Sequence, residues 1–172
     1  VKVATEILLS GITKTIFATA EDELRPVMNG ILMELSTNSL TFVASDAHKL
    51  VRYRRKDVQS DSDASFILPK KPAALLKNIL GKETGAIVLE FDDKNALFTM
   101  SNYTLVCRLV EGSYPNYNSV IPADNPNKLS IDRVELYNAL RRVAVYANQA
   151  SNLIKLSLGG NQLTVSAQDL DF

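Results

Sequence analysis

The sequence is short of the residues from which many recognisable sites are built. Cys107 is the only cysteine, which excludes an internal disulfide and is typical of a reducing compartment. His48 is the only histidine, and one histidine with one cysteine cannot make a zinc site without several carboxylates. Aliphatic runs are no longer than that at Ala86–Leu89, and no secretory signal pattern is present. We therefore expect a cytoplasmic protein with no membrane span, metal or cofactor.

The sequence also has no net charge, because 19 basic residues balance 19 acidic ones. Neutrality argues against a plainly basic nucleic-acid binder, yet the charges are unevenly distributed. No acid occurs between Pro69 and Lys82, a stretch that contains Lys70, Lys71, Lys77 and Lys82. A later stretch carries Arg133, Arg141 and Arg142 against Glu135. Such runs are usually solvated faces, but two basic helices at equivalent repeat positions favour a functional role.

A strand-turn-strand pattern with an Asn-x-Leu turn occurs three times. The first strands are Ile31–Leu35, Ile87–Phe91 and Ile154–Leu158, and the turns carry Asn38, Asn95 and Asn161. The turns are 57 residues (38 to 95) and 66 residues (95 to 161) apart. A repeat of this period indicates a copied supersecondary unit whose copies pack against one another.

A helix is predicted before each copy of the pattern. Apolar residues at three- and four-residue steps predict the first from about Thr5 to Ala20. The second begins near Pro69 and stops at Gly81, and the third opens with Asp132 and Glu135 as a capping box. Its apolar stripe is Val134, Tyr137, Leu140, Ala144 and Ala147. Each unit is thus one helix plus about three strands, and two units make one α+β domain. The proline-rich connector 111–126 places a domain boundary near residue 116.

The segment Ser45-Asp46-Ala47-His48 is the one constellation with catalytic residue types. A nucleophile–base–orienter triad needs side chains that converge, whereas neighbours on a strand point to opposite faces. We interpret the segment as a polar turn at a strand end and keep a small hydrolase using Ser45, Asp46 and His48 as an alternative. Glycine-rich phosphate loops are absent, since Gly159 and Gly160 lie in a predicted hairpin turn.

The same region carries a family resemblance. Ser45-Asp46-Ala47-His48-Lys49-Leu50 resembles the threonine-aspartate-glycine-histidine-arginine-leucine motif of the bacterial sliding clamps, the beta subunits of DNA polymerase III. Further similar segments follow in register over essentially the whole chain: 25–30, 68–71, 109–117, 120–122 and 161–164. The resemblance implies the DNA-clamp fold, with 1–116 as the middle domain and 117–172 as the first half of the third. It also implies that the sequence is a fragment.

This resemblance implies a function without catalysis. In this family two identical subunits close a ring whose helices surround duplex DNA. The resemblance therefore implies that basic side chains contact DNA phosphates and that no base sequence is recognised. The expected DNA-facing residues are Lys14, Lys70, Lys71, Lys77, Arg141 and Arg142. An alternative is an interaction scaffold of the same fold with no role on DNA.

The resemblance also implies a pocket for a short peptide motif of the polymerase III catalytic subunit, the clamp loader and repair polymerases. Its residues here would be Met28, Ser45, Ala47, His48, Lys49, Leu50, Pro115 and Val120. The chain departs from the usual motif at Ser45, Ala47 and Lys49, and Ala47 would be strained at a positive φ. Since the rest of the pocket belongs to the end of the third domain, we expect residues 1–172 to bind such peptides weakly or not at all.

Overall fold

The computed structural model describes residues 1–169. Its contacts divide the chain into two compact units, Val1–Ile121 and a second that begins at Pro122. The two units are described in turn.

The first unit contains two helices and eight strands. In chain order they are β1 (Lys2–Ala4), α1 (Thr5–Thr15), β2 (Gly30–Ser36), β3 (Ser39–Ser45), β4 (Leu50–Arg55), β5 (Ala64–Pro69), α2 (Lys70–Leu80), β6 (Ala86–Phe91), β7 (Asn95–Thr99) and β8 (Thr104–Arg108). Short 3-10 turns occur at Ile16–Ala18, Pro26–Met28 and Tyr117–Val120.

Two four-stranded antiparallel sheets are formed, in the orders β4-β3-β2-β5 and β1-β6-β7-β8. Each sheet takes one strand from the other repeat. The strand β5, which leads into α2, pairs with β2, while β1, which leads into α1, pairs with β6. The two repeats are therefore linked by an exchange of strands, a feature that the sequence pattern did not predict.

Both helices pack on the inner face of the first sheet and against each other. The α1 helix contacts β3 and β4, and α2 contacts β2 and β5. One apolar cluster includes Leu8 and Leu76 from the helices, Phe42 from the first sheet and Phe98 from the second. Both sheets and both helices thus share a core, as expected when an amphipathic helix buries its apolar stripe.

The predicted α+β architecture is confirmed, with small differences in boundaries. The α1 helix ends at Thr15 and continues as the 3-10 turn Ile16–Ala18, instead of running to Ala20. Thr15 Oγ1 donates to the Gly11 carbonyl oxygen at 2.7 Å, a back-bond that competes with regular helix at this end. The α2 helix begins after Pro69 and ends before Gly81, as predicted.

The second unit contains α3 (Arg133–Ala144) and a hairpin of β9 (Lys155–Gly159) and β10 (Gln162–Ser166). The Asp132 half of the predicted capping box is confirmed: Asp132 Oδ1 accepts from the Val134 and Glu135 amides at 2.8 and 2.9 Å. No residue of α3 is buried, and Val134 and Tyr137 of the predicted stripe are 49% and 53% exposed. The end of the third repeat at Phe172 lies outside the described residues.

No helix within residues 1–169 has both the length and the apolar character that a bilayer span requires.

Candidate functional site

The loop between β3 and β4 is closed by its own polar side chains. Ser45 Oγ donates to the Lys49 carbonyl oxygen at 2.8 Å and accepts from the Ala47 amide at 3.2 Å. Asp46 Oδ1 accepts from the amides of His48 and Lys49 at 3.0 and 2.9 Å. The interpretation of this segment as a polar turn is therefore confirmed, and the loop is built to hold a fixed shape.

The same bonds remove the basis for a hydrolase. The Ser45 hydroxyl donates to a backbone carbonyl, and no hydrogen bond joins Ser45 to His48 in the part of the chain that the structure describes. Asp46 instead pairs with the Lys49 ammonium. The Lys49 ammonium and the loop amides hold the pKa of the Asp46 carboxyl well below its usual range. A nucleophile activated by a neighbouring base is thus not formed.

Ala47 occupies a strained position in this loop. Its φ is 76°, in the left-handed region that residues with a Cβ adopt at a cost. This is the position at which the clamp motif has glycine. The strain is held in place by the Ser45 and Asp46 hydrogen bonds on either side.

The connector, as far as Ile121, packs on the outer face of the first sheet, beside this loop. Four buried residues form a small apolar cluster there: Leu32, Val43, Ile67 and Tyr117. Val27, Leu50, Val110, Tyr114 and Ile121 pack against it. Tyr117 Oη donates to Glu34 Oε2 at 2.6 Å, and the Val110 amide donates to the Ile67 carbonyl oxygen at 3.1 Å. Because of this cover, β3 is buried on both faces.

The predicted pocket residues therefore fall into two groups. Leu50 is half-buried in the cluster that includes Tyr114 and Ile121, while Met28 and Ser45 are buried. The remaining five are exposed: Ala47, His48, Lys49, Pro115 and Val120. Val120 is 68% exposed, although it is a large apolar residue. Three of these five are apolar, and His48 and Lys49 are polar, a mixture that is typical of a partner surface with apolar anchors and a polar rim.

Three apolar residues of this surface were missing from the predicted set. Val27, Tyr114 and Ile121 pack beside the candidate residues, yet they lie outside the predicted strands and helices. The signal was available in Tyr114-Pro115-Asn116-Tyr117, where two aromatic residues interrupt a polar connector. Aromatic residues in such a segment indicate packing, since each buries a large apolar area.

The cationic start of α2 is a second candidate surface. Lys70 Nζ lies 2.6 Å from Glu21 Oε1, so this lysine is already paired. Lys71 and Lys77 are exposed and have no ion pair among residues 1–169. The first turn of α2 contains no acid, and Pro69 provides no side-chain cap. Lysines are unfavourable at a helix N-terminus, where the helix dipole is positive and attracts anions.

The other predicted cations differ in their surroundings. Lys14 Nζ lies 4.4 Å from the centre of the Tyr53 ring, which directs it towards β4. Hydrogen bonding to Arg55, followed by Lys14, lowers the pKa of the Tyr53 hydroxyl. In the second unit, Arg141 and Arg142 occupy the last turn of α3, where cations already stabilise a helix. The position of these two arginines is therefore weaker evidence for a role in binding DNA than the position of the α2 lysines.

No group of three or more histidine, cysteine, aspartate or glutamate side chains that could hold a metal ion occurs over residues 1–169.

Comparison with known proteins gives consistent matches along the chain. The profile of the DNA polymerase III beta subunit, central domain, matches residues 2–116, and that of its C-terminal domain matches residues 118–172. The beta sliding clamp of Synechococcus elongatus is 31% identical over 172 residues, covering 95% of this chain and 46% of that protein.

Solved structures show the same relationship. The DNA polymerase III beta subunit of Thermotoga maritima superposes with a TM-score of 0.90 at 30% identity, over 100% of this chain and 47% of that one. The sliding clamp of Bartonella birtlesii, solved with bound griselimycin, gives a TM-score of 0.89 at 26% identity, over 99% of this chain and 47% of that one. The chain thus spans a little under half the length of the relatives it matches.

Proposed function

The chain belongs to the DNA polymerase III beta subunit family, and from this premise we propose that it is part of a sliding clamp that encircles duplex DNA. Residues 1–116 would form the middle domain and 117–172 the first half of the third. The complete protein would be a cytoplasmic homodimeric ring that tethers the replicative polymerase and catalyses no reaction itself. Helices would line the channel, and phosphates would be contacted without base readout.

The observation that carries this proposal is the start of α2. Folding alone disfavours an unpaired cation there by about 0.3–1 kcal/mol, yet Lys71 occupies the second position of α2 and has no ion pair among residues 1–169. A DNA phosphate near this helix would be attracted by the helix dipole and by the Lys71 ammonium, while the Lys70 ammonium is held by Glu21. Lys77 lies two turns further on an exposed part of the same helix. Neutral total charge is no objection, because only one face needs to be positive.

The test is duplex binding measured by fluorescence anisotropy at several salt concentrations. Low ionic strength is used because the Debye length there is about 30 Å. Each of Lys71→Gln and Lys77→Gln is expected to reduce the slope of log K against log salt by about 0.9. Two duplexes of unrelated sequence should bind equally. Lys94→Gln, in the exposed turn between β6 and β7, is the matched control. An equal effect of this control would contradict the assignment of α2.

We propose the surface around the β3–β4 loop as the partner-binding site. It would accept short peptide motifs from the polymerase III catalytic subunit, the clamp loader and repair polymerases. Support comes from the half-buried Leu50, which packs against the same apolar cluster as Ile121, and from the exposed residues next to these two in sequence, His48, Lys49 and Val120. Griselimycin serves as a probe, since a relative was solved with it bound. Titration followed by amide chemical shifts should show weak binding with changes at 45–50 and 115–120. Changes confined to other residues would count against this site.

The scaffold alternative makes a different prediction in the same two assays. A scaffold with no role on DNA would respond to griselimycin at the β3–β4 loop while the lysine substitutions left duplex binding unchanged. A clamp requires both responses.

A further inference from the structure

Tyr117 and Glu34 form the strongest polar link between the connector and the first sheet. The ring of Tyr117 is 6% exposed, and its hydroxyl donates to Glu34 Oε2 at 2.6 Å across 83 residues of sequence. We infer that this pair is a positioning device for the partner surface: it fixes where Pro115 and Val120 lie, although neither Tyr117 nor Glu34 needs to touch the partner. The inference rests on the partner surface proposed above.

The carboxylate of Glu34 is itself held in a cross-strand row. Glu34 on β2 lies opposite Thr41 on β3, and Thr41 lies opposite Arg54 on β4. Arg54 Nε donates to Thr41 Oγ1 at 3.1 Å, which joins β3 and β4 within this row. Side chains at directly opposed positions stand on the same face of a sheet. The acceptor for Tyr117 is therefore presented from an inner strand that is paired on both sides.

The hydrogen bond acts on a short and stiff piece of chain. Tyr117 begins the 3-10 turn Tyr117–Val120, in which the Ser119 amide donates to the Asn116 carbonyl oxygen at 3.3 Å. Pro115 lies two residues before Tyr117 and Val120 three residues after it. A displacement of the ring would consequently move both exposed residues at once.

The second side-chain bond from this stretch is weaker. Arg52 Nη1 donates to Asn118 Oδ1 at 3.3 Å, and both side chains are exposed to solvent. The Tyr117 bond has a charged acceptor and is partly buried, which makes it shorter and roughly twice as strong as a neutral one. Burial, followed by the neighbouring Glu34 carboxylate, raises the pKa of the Tyr117 hydroxyl, as expected for a phenol donating in a poorly solvated site.

Loss of the hydroxyl should loosen the connector without unfolding the sheet. Tyr117→Phe keeps the ring that packs with Leu32, Val43 and Ile67 and removes only the bond to Glu34. Local openings of this kind have their own free energies, well below that of global unfolding. The connector would then spend more time away from the geometry that the partner requires, and apparent affinity falls with the competent fraction.

The test compares Tyr117→Phe, Glu34→Ala and Glu34→Gln with the matched control Tyr103→Phe, whose side chain is 48% exposed. Griselimycin affinity and amide exchange at Ser119 and Ile121 are measured in each variant. Tyr117→Phe and Glu34→Ala are expected to weaken binding about tenfold and to accelerate exchange at these two amides by a similar factor. Exchange in the core of β2 and β3 should not change.

Two further results separate a positioning role from a structural one. The variant carrying both Tyr117→Phe and Glu34→Ala should bind no worse than either single variant, because the two residues act through one bond. Glu34→Gln, which retains an acceptor, should recover part of the affinity. Binding and amide exchange that Tyr117→Phe leaves unchanged overturn the inference alone, whereas griselimycin-induced shifts confined to residues outside 45–50 and 115–120 contradict the partner surface itself.

Discussion

Gly11 provides a sharp test of how α1 packs on the first sheet. A Cβ at this position would lie 2.3 Å from two atoms of the Phe42 ring and 2.5 Å from a third. Phe42 is fully buried at the centre of the core. Gly11→Ala therefore forces either the ring or the helix to move by roughly 1 Å to reach ordinary contact distance.

Two opposing effects determine the magnitude. Alanine is better than glycine in a helix interior by about 1 kcal/mol. Overpacking a filled core costs typically about 1–3 kcal/mol, and a clash with three ring atoms belongs at the upper end. We expect a net destabilisation of about 2 kcal/mol. For a chain of this size, the melting temperature should fall by about 4–8 °C.

Thermal unfolding followed by circular dichroism measures the effect, and Gly81→Ala is the matched control. Gly81 caps α2 with a φ of −64°, and its added Cβ would meet nothing closer than 3.8 Å. That variant should be neutral or slightly stabilised. Phe42→Leu should lower the free energy of unfolding less in the Gly11→Ala protein than in the unsubstituted chain, because the Phe42 ring is the group that the added Cβ meets. A Gly11→Ala protein as stable as the unsubstituted chain would refute the packing described here.

Two other predictions concern the β3–β4 loop. Ala47→Gly should raise the free energy of unfolding by about 0.5 kcal/mol. The relief of about 1–2 kcal/mol of strain at the left-handed φ exceeds the cost of the larger conformational entropy that glycine gives the unfolded chain. A variant that chemical denaturation shows to be destabilised would contradict this strain. Asp46→Asn should flatten the acid limb of the stability curve. The folded state lowers the pKa of Asp46, so its ionised carboxylate stabilises the protein fully above the unfolded pKa of about 3.9. This contribution is lost progressively as the pH falls from that value through the lower folded pKa. Equal losses of stability in both proteins between pH 5 and 3 would show that the Lys49 pairing contributes nothing.

The helices and hairpins were predictable because their signals are local. The spacing of Ala73, Leu76 and Leu80 marks one face of α2, and all three are buried. Asp132 caps α3 through bonds to amides two and three residues away. In each case the residues that make the contact lie within one or two turns of chain, so the pattern carries the structural information.

The strand exchange and the connector could not be predicted because their partners are distant in sequence. Nothing in the residues of β5 distinguishes β2, its partner, from β6, which follows it after α2. The Lys70–Glu21 pair spans 49 residues and removes one candidate cation from the free set. The composition of the connector also indicates an exposed loop, because proline and asparagine surround Tyr117. Tyr117 is nevertheless almost fully buried.

Strand exchange also explains how one sheet can present two different surfaces. Gly30 of β2 pairs with Pro69 of β5, and the Lys70 amide then donates to the Asn29 carbonyl oxygen at 3.0 Å. A Cβ on Gly30 would lie 2.6 Å from the Leu68 carbonyl oxygen, so the two strands can approach this closely only with glycine there.

The first residues of α2 are consequently fixed by the sheet rather than by a cap of their own. Ile31 and Phe42 face the helices, while Leu32 and Val43 face the connector. The α2 helix, which carries Lys71 and Lys77, and the connector residues as far as Ile121 thus lie on opposite faces of this sheet. A change of charge on α2 can therefore alter the surface proposed to meet DNA while the hydrogen bonds that shape the proposed partner surface stay intact.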